Sequence, residues 1–469
     1  MLTKRARRQY NSEIVNIEEM IPSNHYLRII DYYFDWDFIY KEVEKKYSRV
    51  GRPSIDPVVL FKVHILKFLF HEDSIRKTYE SLKYNLLYKW FIGYGINEEV
   101  PDHSTYSQNY KRKYKDLEKD ILQTVFDKVI ELLIKYHCID ATSVYIDSTN
   151  TKAYANKKKS HKEIVKVEAK KYQKELELEM LLQEYHNNEI DEEEYMEETE
   201  KIIRCNEEAE IRELIGEKEV IVSDTDKDAG MLYKSEKEKM FGYNSTVICD
   251  NNNYALVVDV NPSNMHDSIA FYGAYEKLKE TIMKELKINY MAGDAAYITP
   301  HICKTIYQDG IIPCLPYKRP MTKKGYLKKY DYIYDEALDI YICPNNCDLT
   351  RRGMTKDGYI NYKSNERDCI NCPLKGQCTK SKQKTITRHI WEQYKEIANE
   401  YRHQDDVRKV YAQRSSHIER LYADGKTKHG LGKTYYRSKE KVARELTLLY
   451  TCMNLKKFAL MKQKYVWEC

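Results

Sequence analysis

The chain has 469 residues, of which 42% are hydrophobic and 32% are charged, and its formal net charge is +5 at pH 7. These values are typical of a globular protein of two or three domains. The most apolar stretch, residues 58–70, is interrupted by Lys62, His64 and Lys67, so a membrane span is excluded. The twelve cysteines do not suggest a disulfide scaffold, and no signal-peptide pattern is present, so we expect a cytoplasmic protein.

The N-terminal third has a helical pattern. Residues 1–45 mix aromatic and charged side chains and are predicted to form a short lead-in, and residues 46–135 are predicted to form a helical domain. Asp56 is a suitable N-cap, and Pro57 fits the first turn of a helix. Further helices follow, and the one after Ser104 carries several basic residues. Short helices with basic exposed positions favour a helix-turn-helix-like DNA-binding domain, and a dimerisation bundle is the alternative.

Residues 136–160 and 219–316 have the pattern of a folded α/β layer. The apolar strand that starts at Ser143 ends at Asp147, and another that starts at Ile288 ends at Asp294. Between them the sequence predicts a strand hairpin and a helix, and after Asp294 a further helix and strand. This order indicates a mixed α/β layer.

Residues 161–218 interrupt that layer with 19 acidic and nine basic residues, a net charge of −10. Apolar positions recur at roughly helical spacing on either side of Asn187-Asn188, which predicts a two-helix hairpin. We expect this acidic hairpin to be solvated, or to act as a protein–protein arm, and to avoid DNA.

Residues 317–390 form a second insertion, which is rich in cysteine. Its five cysteines are Cys343, Cys347, Cys369, Cys372 and Cys378. The last three together with Cys343 offer four thiolates, enough for a tetrahedral structural Zn²⁺ site. Cys347 competes with Cys343 for the fourth place, and free buried thiols are the alternative to a metal site.

Residues 391–469 have a helical pattern, and we expect them to complete the α/β layer. Between Arg408 and Arg444 there are eleven Lys or Arg residues and three acidic residues. Glu419 lies among these cations. A single carboxylate in a basic surface is either an ion-pair partner or a metal ligand beside a polyanion.

Asp147, Asp294 and Glu419 together suggest a metal site. An Asp at the end of a strand is more often a turn residue, and a Glu on a basic helix is more often part of an ion pair. Three carboxylates brought together would repel one another unless cations entered. Two Mg²⁺ or Mn²⁺ ions about 4 Å apart relieve that repulsion and can clamp both reacting oxygens of a phosphodiester. The element order favours this metal site.

Several short stretches occur in a specific order along the chain. They are Gly51-Arg-Pro-Ser-Ile-Asp-Pro, Pro101-Asp-His-Ser-Thr, Tyr145-Ile-Asp-Ser-Thr, Asp224-Thr-Asp-Lys-Asp-Ala-Gly, Phe241-Gly-Tyr-Asn, Met265-His-Asp-Ser, Ala292-Gly-Asp-Ala-Ala-Tyr, Cys369-Ile-Asn-Cys-Pro-Leu, and Ile418-Glu419 through Asn454-Leu-Lys-Lys. In their order and spacing the chain resembles the DDE transposases of bacterial insertion sequences, in the branch with an InsH-type N-terminal domain and a Cys-rich insertion.

The resemblance implies an α/β fold with an RNase H-like mixed sheet flanked by helices, an N-terminal all-α DNA-binding domain, a helical-hairpin insertion and a Cys-rich insertion. It implies that Asp147, Asp294 and Glu419 are the catalytic residues that bind Mg²⁺. The residues that it assigns to DNA binding are Tyr411, Arg414, Arg420, Lys426, Lys428 and His429. Tyr411, Arg414 and Lys426 match the family's Tyr, Arg, Glu, Lys signature, but Arg414 is one position further from Glu419 than the family spacing.

The resemblance further implies a transposase that cuts insertion-sequence ends and joins the 3′-hydroxyl to target DNA by two-metal phosphoryl transfer. The expected partners are double-stranded DNA, as terminal inverted repeats and as target, and a second copy of the chain in a synaptic complex. The expected location is the bacterial cytoplasm, in association with the nucleoid. Two alternatives stay open: an RNase H-like endonuclease without strand transfer, and an inactive DNA-binding derivative, against which the intact acidic triad argues.

Overall fold

The computed structural model describes residues 14–48, 50, 54–114, 117, 120–166, 172–207, 217–233, 239–319 and 322–466. The chain divides into two compact units. The helical unit comprises the described residues of Met1–Ile139, Leu421–Tyr436 and Glu440–Cys469. The sheet unit comprises those of Asp140–Arg420 and Arg437–Lys439.

Helices occur in both units. The α-helices are α1 (Ile17–Met20), α2 (Tyr26–Tyr33), α3 (Phe38–Val43), α4 (Pro57–Leu69), α5 (Ile75–Tyr84), α6 (Leu86–Ile92), α7 (Thr105–Asn109), α8 (Ile121–Lys135), α9 (Gln173–His186), α10 (Glu192–Glu207), α11 (Asp267–Glu280), α12 (Pro300–Gln308), α13 (Glu366–Ile370), α14 (Lys375–Cys378), α15 (Glu392–Tyr401), α16 (Asp405–Arg414), α17 (Arg420–Lys428) and α18 (Lys439–Val466). Residues Tyr110–Tyr114 and Ser415–Glu419 are π-helical. Within the described residues, no helix is both long enough and apolar enough to cross a membrane.

The strands all lie in the sheet unit. They are β1 (Ser143–Lys152), β2 (Ser160–Lys166), β3 (Glu217–Ser223), β4 (Gly230–Tyr233), β5 (Lys239–Asp250), β6 (Ala255–Pro262), β7 (Tyr290–Ala292), β8 (Ile312–Cys314), β9 (Ile333–Asp335), β10 (Ile340–Ile342), β11 (Asp348–Met354), β12 (Tyr359–Ser364) and β13 (Thr385–His389). They form a six-stranded sheet, a five-stranded sheet and a two-stranded ribbon. With the helices, they make the mixed α/β fold that the sequence predicts.

The six-stranded sheet is built around β1. Strand β1 pairs with β5 antiparallel and with β7 parallel, β7 pairs with β8 parallel, and both β4 and β6 pair with β5 antiparallel. Successive residues of a strand face opposite sides of the sheet, so Tyr145 and Asp147 share one face, and Ser148 lies on the other. Helix α16 and the following residues contact the Tyr145 face, because Tyr145 Oη donates to Gln413 Oε1 over 3.2 Å.

The helical unit is organised around α4. Asp56 Oδ1 accepts the Val58 N–H over 2.7 Å, which is the N-cap that the sequence predicts. Almost every side chain of α4 is buried, including Lys67, which pairs with Glu445 of α18 over 2.9 Å. Both charged side chains are only 9% exposed, and a buried charge is stable only when it is paired.

The C-terminal helix α18 therefore packs with the N-terminal helices. We expected residues 391–469 to complete the α/β layer, but only residues 391–420 and Arg437–Lys439 belong to the sheet unit. The apolar side of α18 packs on α4, where Cys452 Sγ lies 3.6 Å from the Ile65 carbonyl oxygen. The predicted lead-in also belongs to this unit, since Tyr33 packs edge-on against Phe458.

The acidic hairpin consists of α9 and α10 on the ribbon formed by β2 and β3. The expectation of a solvated hairpin is wrong for α9, because Leu176 is fully buried in a hydrophobic cluster with Trp391. Trp391 Nε1 donates to Glu179 Oε2 over 2.6 Å, and Lys304 Nζ pairs with the same carboxylate at 2.6 Å. Helix α9 is thus fixed to the body of the sheet unit.

Candidate active site

Asp147 and Asp294 are related by the parallel pairing of β1 with β7. The last pair between these two strands is Tyr145 with Ala292, and each aspartate follows that pair by two positions. The charge of Asp294 acts on Asp147, so the two carboxyl groups lie near one another. Asp294 lies just beyond β7, where its Oδ1 accepts the Ala296 N–H over 2.8 Å.

Gly293 makes this approach of the two strands possible. A Cβ atom added at this position would lie 3.1 Å from Tyr297, 3.2 Å from Ile146 and 3.3 Å from Leu315. These contacts are closer than ordinary van der Waals separations. A side chain at position 293 would therefore push this position away from Ile146, the residue before Asp147.

The electrostatic state of Asp147 reflects a cluster of acids. The pKa of Asp147 is raised to about 6, mainly by burial and to a smaller extent by the charges of Asp294 and Asp267. The Ser148 N–H, which Asp147 Oδ1 accepts over 2.8 Å, and the Arg414 guanidinium act in the opposite direction. The carboxylates are therefore close enough to repel one another, which is the condition under which a cation is favoured.

Arg414 joins Asp147 to Glu419. Its Nη1 donates to Asp147 Oδ2 over 3.2 Å, and its Nη2 donates to Glu419 Oε1 over 3.0 Å. Glu419 is the last residue of the π-helical segment Ser415–Glu419, called the π turn below. Side chains five residues apart do not meet on a regular α-helix, whereas a π-helix is closed by i→i+5 hydrogen bonds. The π turn therefore accommodates the additional residue between Arg414 and Glu419.

Two further residues belong to this region, and the sequence did not single them out as site residues. Asp267 is the first residue of α11, whose N-cap is His266, and it accepts the Asn244 Nδ2–H over 3.0 Å. Tyr297 is buried, its hydroxyl lies 3.1 Å from Ser148 Oγ, and burial raises its pKa. Both residues lie in motifs that carry the family resemblance, Met265-His-Asp-Ser and Ala292-Gly-Asp-Ala-Ala-Tyr. Their place in these motifs is the sequence signal that could have identified them.

Two family models match the chain. A transposase domain (DUF772) matches residues 15–112, and a transposase DDE domain matches residues 342–459. Both matched models are transposase domains, and together they support a DDE transposase of an insertion sequence. The second match includes Glu419. It does not include Asp147 or Asp294, because both precede residue 342.

Further comparisons add little to this assignment. No curated protein sequence matches the transposase. A solved piggyBac transposase synaptic complex with hairpin DNA aligns with 92% of this chain and 74% of that chain, at 8% identity and a TM-score of 0.34.

The acids of the transposase suit a hard divalent cation. In the described part of the chain, no three His, Cys, Asp or Glu side chains converge closely enough to hold an ion. At Asp147 and Glu419 the intervening guanidinium of Arg414 supplies the positive charge. The available donors are carboxylate oxygens, which are the ligands that Mg²⁺ prefers, and the raised pKa of Asp147 indicates an incompletely compensated charge. The residues present therefore fit Mg²⁺ or Mn²⁺.

The pKa of Asp147 leads to a prediction about pH. Because its folded pKa is raised, the metal-free protein takes up a proton that the unfolded chain lacks between about pH 4 and pH 6, so this group's contribution to stability falls as pH rises through that window. A divalent cation binds only the ionised form of the Asp147 carboxylate. The affinity of the protein for the cation should therefore rise about tenfold per pH unit up to pH 6 and then level off. Calorimetric titration with Mn²⁺ from pH 5 to 8 measures this, and the Asp147→Asn variant should lose the slope. An affinity for the unaltered protein that is equal at pH 5 and pH 7 would contradict the prediction.

The residues predicted to bind DNA have different environments. Arg420, Lys426 and Lys428 are exposed, and Lys428 pairs with Asp424 over 2.7 Å. Tyr411 is partly buried on α16, and Arg414 contacts carboxylates, as described above.

His429 is a correction to the predicted DNA-binding set. It is only 5% exposed, and its Nδ1 lies 2.9 Å from the Phe68 carbonyl oxygen within the helical unit. Burial lowers the pKa of His429 to about 4, so the ring is neutral at pH 7 and does not suit a phosphate contact.

The five cysteines of the Cys-rich insertion are all described by the structure, and no three of these thiols converge on one point. Cys343 and Cys347 flank the turn between β10 and β11, where the Cys347 N–H lies 3.4 Å from Cys343 Sγ. Cys378 Sγ contacts the Tyr332 hydroxyl at 3.0 Å, and Cys369 Sγ contacts Ser364 Oγ at 3.1 Å. All five thiols are free, including that of Cys372. Cys343 and Cys347 interact with each other, and Cys343 and Cys378 both act on the Tyr332 hydroxyl. The structural Zn²⁺ stays a prediction.

Proposed function

We propose that this transposase cuts the ends of an insertion sequence and joins the freed 3′-hydroxyl to target DNA. The observation that carries the proposal is the arrangement of three acids in one unit: Asp147 on β1, Asp294 two residues beyond the end of the parallel strand β7, and Glu419 linked to Asp147 through Arg414. We also propose that the six-stranded sheet is an RNase H-like core. Its support is the strand order. The antiparallel pair of β5 and β6 lies on one side of β1, and the parallel strands β7 and β8 lie on the other side.

The proposed chemistry is two successive in-line phosphoryl transfers. In the first, a water oxygen forms a bond to phosphorus, the bond from phosphorus to the 3′-oxygen breaks, and a water proton passes to the released 3′-oxygen, which becomes a hydroxyl. In the second, the oxygen of that hydroxyl forms a bond to a target phosphorus, the bond from that phosphorus to the target's 3′-oxygen breaks, and the hydroxyl proton passes to the released 3′-oxygen. Two bound Mg²⁺ or Mn²⁺ ions would supply Lewis-acid stabilisation of the attacking and leaving oxygens.

The chain's own residues have distinct parts in this scheme. The carboxylates of Asp147, Asp294 and Glu419 would hold the cations. Arg414 neutralises two of these acids in the metal-free protein, which keeps them oriented without an ion. The phosphate backbone would be bound by cations of the segment from Arg408 to Arg444, which carries eleven basic and three acidic residues.

The proposed partners are element-end DNA, target DNA and a second copy of the transposase in the synaptic complex. The helices of residues 46–135 would bind the terminal inverted repeats. Binding through phosphates predicts an affinity that falls steeply as salt concentration rises.

A strand-transfer assay tests the proposal. Purified transposase would be incubated with labelled DNA carrying the ends of its own element, supercoiled target plasmid, and Mg²⁺ or Mn²⁺. We expect cleaved ends first and then covalent joint products, both of which disappear with a chelator. Cleavage without joining would instead identify the RNase H-like endonuclease, and end binding without cleavage would identify the inactive DNA-binding derivative.

A further inference from the structure

The π turn interrupts a helical run that contains two residues of the site. It lies between α16 and α17, and its two ends carry the pair that faces Asp147, namely Arg414 just before it and Glu419 at its end. On a regular α-helix with 3.6 residues per turn, side chains five positions apart would be separated by about 140° around the axis. The π conformation is therefore necessary for both side chains to lie on the same side of this helix.

The turn between β5 and β6 holds the π turn in place. Asn253 Oδ1 hydrogen-bonds to the Nδ1 of His417, and Asn253 Nδ2 donates to the Ser416 carbonyl oxygen over 3.4 Å. Both contacted residues lie inside the π turn. Asn253 has a φ of 58°, a left-handed conformation that asparagine tolerates better than most residues. The same strand turn thus contacts one side chain and one carbonyl group of the π turn.

A second connection runs through Tyr145, which precedes Asp147 by two positions on the same face of β1. Its ring stacks on the His417 ring with centroids 4.6 Å apart and an interplanar angle of 30°. Its hydroxyl lies within hydrogen-bond distance of Asn251 Oδ1, at 2.9 Å, and of Gln413 Oε1, at 3.2 Å. The strand that carries Asp147 is thereby linked to residues on both sides of Arg414.

We propose that Asn253 and His417 are positioning residues of the transposition reaction, which hold residues 415–419 in the π conformation so that Arg414 and Glu419 face Asp147 together. The inference rests on the proposed function, because it assigns the two residues to the same acidic site. Neither residue touches the reacting atoms in this account. Their effect is on the direction of Glu419 and, through Arg414, on Asp147.

The extra residue makes a decisive test available. Deleting Ser415 would shorten the distance in sequence from Arg414 to Glu419 to four positions, which is the spacing at which side chains meet on a regular α-helix. The positioning contacts should then be unnecessary. A purely structural role of His417 predicts no such rescue, since the deletion restores none of the contacts that the ring makes.

The experiment compares five proteins: the unaltered transposase, Asn253→Gly, His417→Ala, the Ser415 deletion, and His417→Ala combined with that deletion. Glycine at position 253 keeps the left-handed backbone and removes only the side chain. Ser415→Ala, at an exposed position inside the π turn, is the matched control. For each protein, Mn²⁺ affinity is measured by calorimetry, and the rate of end cleavage is measured at saturating DNA.

We expect Asn253→Gly and His417→Ala each to lower Mn²⁺ affinity and cleavage rate by about ten- to a hundredfold, as for residues that orient metal ligands. DNA affinity should not change. The Ser415 deletion should restore the His417→Ala protein to nearly unaltered values, and Ser415→Ala should have no effect. Unaltered Mn²⁺ affinity in both single variants, or no rescue by the deletion, would overturn the inference. An unaltered transposase that binds Mn²⁺ but does not cleave would overturn the proposed function instead.

Discussion

The Asp147→Ala variant is expected to lose end cleavage and strand transfer together, by about a thousandfold or more, because both transfers would use the same cation site. Asp147 interacts with several charged residues of the site. It forms an ion pair with Arg414, and besides burial the charges of Asp294 and Asp267 raise its pKa. Its removal would leave Arg414 paired with Glu419 alone. The measurement is the rate of each step on labelled element ends at saturating DNA.

An Asp405→Ala variant is the control for this result. Asp405 begins α16, its side chain is 87% exposed, and it pairs only weakly with Arg408 at 3.5 Å. It should cleave and join at the rate of the unaltered transposase. If Asp147→Ala retained cleavage within a few fold of that rate, the assignment of Asp147 to the reaction would be wrong. Loss of joining alone, with normal cleavage, would show that the two steps do not share this acid.

The Trp391→Ala substitution is expected to lower the free energy of unfolding strongly. Trp391 is completely buried, it lies in one cluster with Leu176, and Lys304 Nζ lies 4.0 Å from its ring centre. Truncating a buried tryptophan costs about 3–5 kcal/mol of unfolding free energy through lost contacts and the remaining cavity. Urea denaturation followed by circular dichroism measures this change. Helix α9 should also become accessible to proteases, because Glu179 loses its indole partner.

The Trp391→Phe variant separates packing from hydrogen bonding. It retains most of the ring volume but removes the indole N–H that donates to Glu179. The carboxylate keeps Lys304 as a partner, so the expected loss is about 1 kcal/mol. Equal losses in the alanine and phenylalanine variants would show that the hydrogen bond, and not the packing, fixes α9. No loss in either variant would contradict the packing described for this helix.

Local signals in the sequence predicted much of the fold. The Asp56-Pro57 pair predicted the start of α4 correctly, because an N-cap and a first-turn proline act within one turn of a helix. Apolar strand patterns predicted β1 and the hairpin of β5 with β6, but the predicted end of β1 at Asp147 is wrong, because the strand continues to Lys152 in its pairing with β5. The family resemblance is confirmed by the two family matches. The roles of Asp147, Asp294 and Glu419 stay predictions.

Features that depend on distant packing could not be read in the same way. The sequence predicts a helical pattern in residues 391–469, but it does not indicate that α18 packs on α4. His429 lies in a basic segment and is predicted to bind phosphate, but it is buried and hydrogen-bonded to the Phe68 carbonyl oxygen. The changed spacing before Glu419 was visible, but a single π turn is too short to produce a periodic pattern.

The central claim is that Asp147, Asp294 and Glu419 serve one divalent-cation site. The most direct test is an anomalous difference map, recorded near the manganese absorption edge, from crystals of the transposase containing Mn²⁺. We expect density in contact with the carboxylates of Asp147, Asp294 and Glu419, with Arg414 no longer bridging Asp147 to Glu419. Manganese density confined to other parts of the molecule, with the Arg414 bridge intact, would contradict the account.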